Sequence, residues 1–176
     1  MMKKYIGLFN FNLRNKRKKH KMPDVSVRLR DIDEGNWMDI VLLSSVGEGE
    51  EKVLGKYTAS NALSICQALY EETWEVKGIY CGKTPVGFAM YGYCKEREQY
   101  ELCRLMIDCK HQNKGFGNIA VSLCLDELFT IEDCNEVYLL VNKDNETAKH
   151  IYLKNGFEPN GEMIGEEMVY CVGRKQ

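Results

Sequence analysis

The sequence predicts an α+β domain of mixed α/β character, built around one central sheet. Three observations carry that expectation. Apolar runs of strand length recur between residues 25 and 172. Segments with a helical apolar repeat interrupt them at four places, and Gly, Pro or Asn separates the two kinds of segment. The resulting order is β-α-α-β-β-β-α-β-α-β, in which a meander of strands is followed by helix-strand alternation.

Each element has its own signal. Residues 25–30 alternate apolar and polar side chains and read as a first strand. Asp33 is placed to cap a helix carrying Trp37, Ile40, Val41 and Leu43, which ends in the Gly47/Gly49 loop. Ser60 is the expected N-cap of a second helix, with Leu63, Ile65, Cys66, Leu69 and Tyr70 as its apolar side. Residues 76–81, 86–93 and 100–107 are strand-like and joined by tight turns at 82–85 and 95–98, so they form an antiparallel meander. A glycine-bearing loop at 112–117 precedes helical periodicity at 119–129, and residues 137–141 are a buried strand. A helix over 145–155 stops at Gly156, the usual position for a helix-ending glycine. The chain then returns to strand, ending over 167–172.

At 176 residues the chain suits one domain with a real core, and its 44% hydrophobic content fits a globular protein. No apolar run approaches the roughly 20 residues needed to span a bilayer, so no membrane association is expected. The eight cysteines include no CxxC pair and are scattered through regular segments. They read as small apolar residues in a reducing compartment, which places the chain in the cytoplasm and predicts no metal site. Charge is uneven. Residues 1–22 hold eight of the 24 Lys and Arg and no acid, so 23–176 carry sixteen bases against 26 acids, a net charge of −10. The domain is expected to occupy 23–176, with 1–22 a mobile or artefactual basic leader. An acidic body favours cationic partners and disfavours nucleic acid.

Two motifs carry chemistry. Gln112-Asn113-Lys114-Gly115-Phe116-Gly117 follows a strand and opens a helix at Asn118. Glycine there permits close backbone approach, the free amides at the helix start attract phosphate, and Lys114 adds a cation. On the later helix, Asn145, Ala148 and Tyr152 fall at i, i+3 and i+7 on one face. Small Ala148 leaves room beside a projecting phenol.

In this order and spacing, the two motifs over residues 25–172 resemble the GNAT superfamily of acetyl-CoA-dependent N-acetyltransferases. The resemblance implies a mostly antiparallel, twisted sheet of six to seven strands with about four helices. It implies that acetyl-CoA lays its pyrophosphate on the amides of 112–117 and pairs its pantetheine arm with the edge of the strand at Met106, Ile107 and Asp108. Asn145 would meet the pantetheine and Tyr152 the sulfur. Residues 57–70 and 87–93, with Arg104-Leu-Met-Ile-Asp108, further resemble bacterial spermidine/spermine and diamine acetyltransferases. Cys103 departs from that subgroup, where an acid is expected.

The transfer requires a free amine and a leaving thiolate. By the resemblance, Tyr152 would serve the departing sulfur, and Glu101, eleven positions before Gln112, stands where some members place a base; a solvated strand Glu is the other reading. Glu71, Glu72 and Glu75 cluster with Trp74, a combination of carboxylates and aromatic face suited to an alkylammonium acceptor. The expected enzyme is an N-acetyltransferase acting on a polyamine or related small amine, with a homodimer as one possible assembly. Other amines, a protein N-terminus and a non-catalytic acetyl-CoA-binding module remain open, as does nucleic-acid binding through the leader.

Overall fold

The structure is a computed structural model that describes residues 26–47 and 60–175. The leader at 1–22, Val25, Gly49 and the start of the 57–70 stretch lie outside the described residues.

One seven-stranded sheet organises the described residues. Its strands are β1 (Val27–Asp31), β2 (Trp74–Cys81), β3 (Thr84–Cys94), β4 (Gln99–Ile107), β5 (Glu136–Asn142), β6 (Glu158–Ile164) and β7 (Glu167–Gly173). They are ordered β1-β2-β3-β4-β5-β7-β6, antiparallel everywhere except between β4 and β5. The helices are α1 (Trp37–Val41), α2 (Asn61–Tyr70), α3 (Phe116–Leu128) and α4 (Glu146–Lys154). The final strand region of the sequence is a hairpin, β6 and β7, turning at Gly165 with φ +63°.

Two cores sandwich the sheet. One face packs under α3 and α4, with Ala120, Val121, Cys124 and Leu128 meeting Ile79, Ala89, Leu102 and Leu139. The other packs under α1 and α2 around Ile40, Trp74, Tyr80, Phe88 and Met90. The strand alternation assigns each side chain to one of these layers.

Two local expectations change. Asp33 does not cap α1: its side chain bonds the Gly35 amide and Arg30, and Asn36 takes the N-cap position. Ser60 does cap α2, accepting from the Leu63 amide at 3.2 Å. The buried side of α2 is not the apolar set read from the sequence, however. Leu63, Leu69 and Tyr70 are exposed, whereas Asn61 and Ser64 are buried. Those two polar groups are satisfied over long range, Asn61 by the Ile40 carbonyl at 2.9 Å and Ser64 by Arg104 at 2.9 Å.

Candidate active site

The sheet comes apart in the middle. β4 and β5 pair at only two positions, Tyr100 with Val137 and Glu101 with Tyr138. Beyond that vertex residues 102–107 of β4 have no partner in β5, so backbone groups along this edge are left for another extended segment. On its other side β4 is fully paired with β3, apart from a bulge: Met90 opposes Arg104 and Tyr91 opposes Leu102, which leaves Cys103 as the extra residue. Cys103 packs with the α1/α2 core, and burial raises its thiol pKa above the ordinary range.

The far end of β4 leads into the glycine loop. The buried Asp108 carboxylate ties it down, accepting from the Ser44 amide and the Lys110 amide, both at 3.0 Å. The Asp108 amide bonds Val86 of β3, so it faces away from the open edge. Gln112 donates to the carbonyls of Ser45 and Ile107, and Lys114 donates to the Lys110 carbonyl. These side chains shape the loop from within. Asn113 (φ +61°) and Gly115 (φ +82°) both adopt left-handed backbone, and a side chain on Gly115 would meet nothing within 4 Å. α3 starts there, with its first amides unpaired at the positive end of a 13-residue helix. Gly117 has a different reason to be glycine: a Cβ would lie 3.2 Å from Ile151 Cδ1, at the contact of α3 with α4. Asn118 completes that contact by accepting from Asn155 at 3.1 Å.

α4 carries the second motif. Asn145 caps it, accepting from the Ala148 amide at 3.1 Å. Ala148 and Tyr152 pack against the α3/α4 core together with Ile107 and Phe116. The Tyr152 ring meets Phe157 edge-on at 5.8 Å, and burial pushes its phenol pKa up to about 12. Among the described residues no group hydrogen-bonds the Tyr152 hydroxyl. Glu101 belongs to the opposite face. It pairs with Gly92, which pairs with Trp74, in a row shared with the α1/α2 core. It is 2% exposed and held by Arg97, Nε to Oε1 at 2.5 Å and Nη2 to Oε2 at 2.7 Å, with Gln99 donating at 2.8 Å.

The split sheet, the glycine-started helix that follows β4 and the protonated phenol in the α3/α4 core are the parts that the resemblance implies. The family model described as Acetyltransferase (GNAT) family matches residues 48–157. The chain belongs to the GNAT acetyltransferase family. The spermidine N(1)-acetyltransferase of Escherichia coli K12 is 40% identical over 63 residues, covering 36% of this chain and 34% of that enzyme. The match thus spans about a third of that relative's length. The spermine/spermidine N(1)-acetyltransferase of Bacillus subtilis 168 is 28% identical over 140 residues, covering 72% of this chain and 92% of that enzyme. Among solved structures, the spermidine N-acetyltransferase of Vibrio cholerae in complex with CoA and spermine aligns with TM-score 0.60 at 18% identity, over 84% of this chain and 95% of that one. The paia N-acetyltransferase of Thermoplasma acidophilum in complex with coenzyme A gives 0.63 at 16%, over 85% and 99%. These structural likenesses establish the fold, which among the described residues comprises seven strands and four α-helices.

The four expected acceptor residues share the α2–β2 turn but differ in exposure. Trp74 is largely buried, its indole nitrogen donates to Glu71 at 2.8 Å, and what remains exposed lines a shallow cleft with Glu75 and Asp31. Gln67 and Trp74 together hold the Glu71 carboxyl below its usual range. Glu72 is exposed in the turn, and Glu75 lies 3.4 Å from Lys77. All four sit at the α2–β2 turn, with β3 between them and β4. In the sequence Arg97 looks like one more charge in a polar turn. Its signal is a lone Arg four positions before a strand Glu. Among the described residues, no helix of this GNAT domain is long and apolar enough to cross a membrane.

Proposed function

We propose that this chain is an acetyl-CoA-dependent N-acetyltransferase acting on a primary amine of a polyamine or diamine such as spermidine or spermine. One observation carries the reading: Glu101 is buried at the vertex where β4 and β5 part, while Tyr152 packs in the α3/α4 core on the other face of the sheet. The similarity to polyamine acetyltransferases from two bacteria supports the acceptor class.

The residues present fit acetyl-CoA. The first amides of α3, at Phe116, Gly117 and Asn118, suit a pyrophosphate, and open space over Gly115 allows its approach. The free edge of β4 at Leu105 and Ile107 suits an extended amide-bearing arm, and small Ala148 leaves room beside it. Met106, opposite Phe88, turns its backbone to β3 as Asp108 does and offers nothing to that edge. The Asn145 carbonyl oxygen is engaged by the helix, which leaves its Nδ2 group to donate. When bound, acetyl-CoA supplies an activated thioester carbonyl. Tyr152, with its proton held at ordinary pH by burial, can donate to the departing sulfur. Glu101 attracts the ammonium group and accepts a proton from it, directly or through water. The β4–β3 ladder fixes Glu101, and packing in the α3/α4 core against Phe157 fixes Tyr152.

The test is CoA-thiol release by purified enzyme against an amine panel. Spermidine and spermine should give the highest kcat/KM, and no turnover with any polyamine would refute the assignment. Glu101→Gln should lower turnover most at low pH, where the amine is protonated, and a pH-independent defect would remove Glu101 as base. Cys103 favours a second reading. It replaces an acid expected in the polyamine subgroup, so another small amine is the alternative acceptor within the same panel.

A further inference from the structure

We propose that Arg97 is a resident counter-charge for Glu101, and that the acceptor's ammonium group binds by taking its place. This rests on the amine-acetylating reading above and names the residue that sets its selectivity.

Glu101 is buried at the sheet vertex, where a bare carboxylate would be costly. Arg97 answers both of its oxygens from the β3–β4 turn in a planar, bidentate grip. The grip is tight enough to raise the guanidinium pKa further above its ordinary value. The two partners differ in exposure. The Glu101 side chain is 3% exposed and the Arg97 side chain 30%, so the guanidinium stands between the carboxylate and solvent. A cation arriving from solvent cannot pair with Glu101 unless Arg97 yields part of that grip.

The structure provides somewhere for Arg97 to go. An open cleft of about 580 Å³ lies beside it, lined by the carboxylate residues Glu98, Asp133 and Glu136 and by Tyr93 and Tyr100. Carboxylates and aromatic faces are the partners a planar guanidinium prefers. The turn that carries Arg97 includes a non-glycine residue in left-handed backbone, Glu98 at φ +53°, so it is not a relaxed connection. During exchange Glu101 trades one cation for another and is never left buried without a partner. Neutral hydroxyl or amide groups cannot make that trade, so the site selects acceptors that arrive charged.

The test uses the full chain, ¹⁵N-labelled and saturated with CoA so that no turnover occurs. The Arg97 Nε–H resonance, assigned by its loss in Arg97→Gln, should shift or vanish as spermidine is added, in step with binding measured calorimetrically. In steady state, Arg97→Gln should lower KM for spermidine by about tenfold, the worth of one charge-assisted hydrogen bond, and leave KM for acetyl-CoA unchanged. Arg97→Lys should fall between. A merely structural Arg97 would lower the melting temperature without lowering the spermidine KM. Spermidine binding with an unmoved Arg97 signal would overturn the exchange and leave amine acetylation standing. Absence of spermidine binding, with acetyl transfer to another amine intact, would remove the polyamine reading and the exchange together.

Discussion

Replacing Tyr152 by Phe separates chemistry from packing. The ring remains, with its edge-on contact to Phe157 and its place in the α3/α4 core. No hydrogen bond among the described residues is lost, because none is made to the hydroxyl. Stability should therefore change by no more than about 0.5 kcal/mol, which for a domain of this size is roughly 2 °C in Tm. If the phenol serves the leaving sulfur, kcat should fall by about 10²–10⁴-fold while acetyl-CoA affinity holds, since the bond is made in the transition state. The phenol pKa near 12 adds a second constraint. Tyr152 stays protonated through the ordinary assay range, so wild-type kcat should show no alkaline loss from this group below about pH 11. Single-turnover rates, calorimetric titration with CoA and a thermal melt on the same preparation complete the assay. A Tyr152→Phe enzyme with kcat within about twofold of wild type would show that Tyr152 only packs.

Other outcomes follow from the same geometry. Gly115→Ala must place a side chain at φ +82°, costing about 1 kcal/mol, and should weaken CoA binding, whereas Gly117→Ala need only displace the tip of Ile151 and should leave calorimetric affinity near wild type. Asp108→Ala strands the Ser44 and Lys110 amides; it should cost about 2 kcal/mol in denaturant titration and raise KM for acetyl-CoA. Gly92→Ala would drive a Cβ into the Thr73 carbonyl oxygen at φ +151°, and a loss on the order of 3 kcal/mol, about 10 °C in Tm, is expected by calorimetry. Because burial raises the Tyr152 pKa, the unfolded chain releases that proton from about pH 10 and the folded chain only near 12. Stability should thus fall as pH rises through that window, less so in Tyr152→Phe, as denaturant melts at about pH 9 and 11 would show.

The sheet and both motifs were legible because strand alternation, turn residues and helix-ending glycines are local signals. Asn145 as a cap and Gly156 after α4 needed no knowledge of the rest of the chain. What was illegible depends on distant partners. Asn61 and Ser64 look like surface residues until Ile40 and Arg104 are brought to them across 21 and 40 positions. Trp74 looked available to a ligand because its burial is decided by the α1/α2 layer. The bulge at Cys103 is masked because both faces of β4 are apolar around it, with Leu102, Leu105 and Ile107 on one and Cys103 and Met106 on the other. The odd step from 102 to 105 therefore does not stand out. Arg97 was hidden for a similar reason: a turn residue's partner is fixed by where the next strand begins.

The two-pair seam between β4 and β5 has a consequence for cooperativity. Strands β1 to β4 close largely through hairpin contacts of their own, and β5 to β7 form a second group. So few backbone bonds join the groups that they are candidates for separate opening units in native-state hydrogen exchange. A molecule that lies between β4 and β5 would touch both. Its binding would then fuse two opening equilibria into one, slowing amide exchange in β5 and β7 as well as at the contact itself.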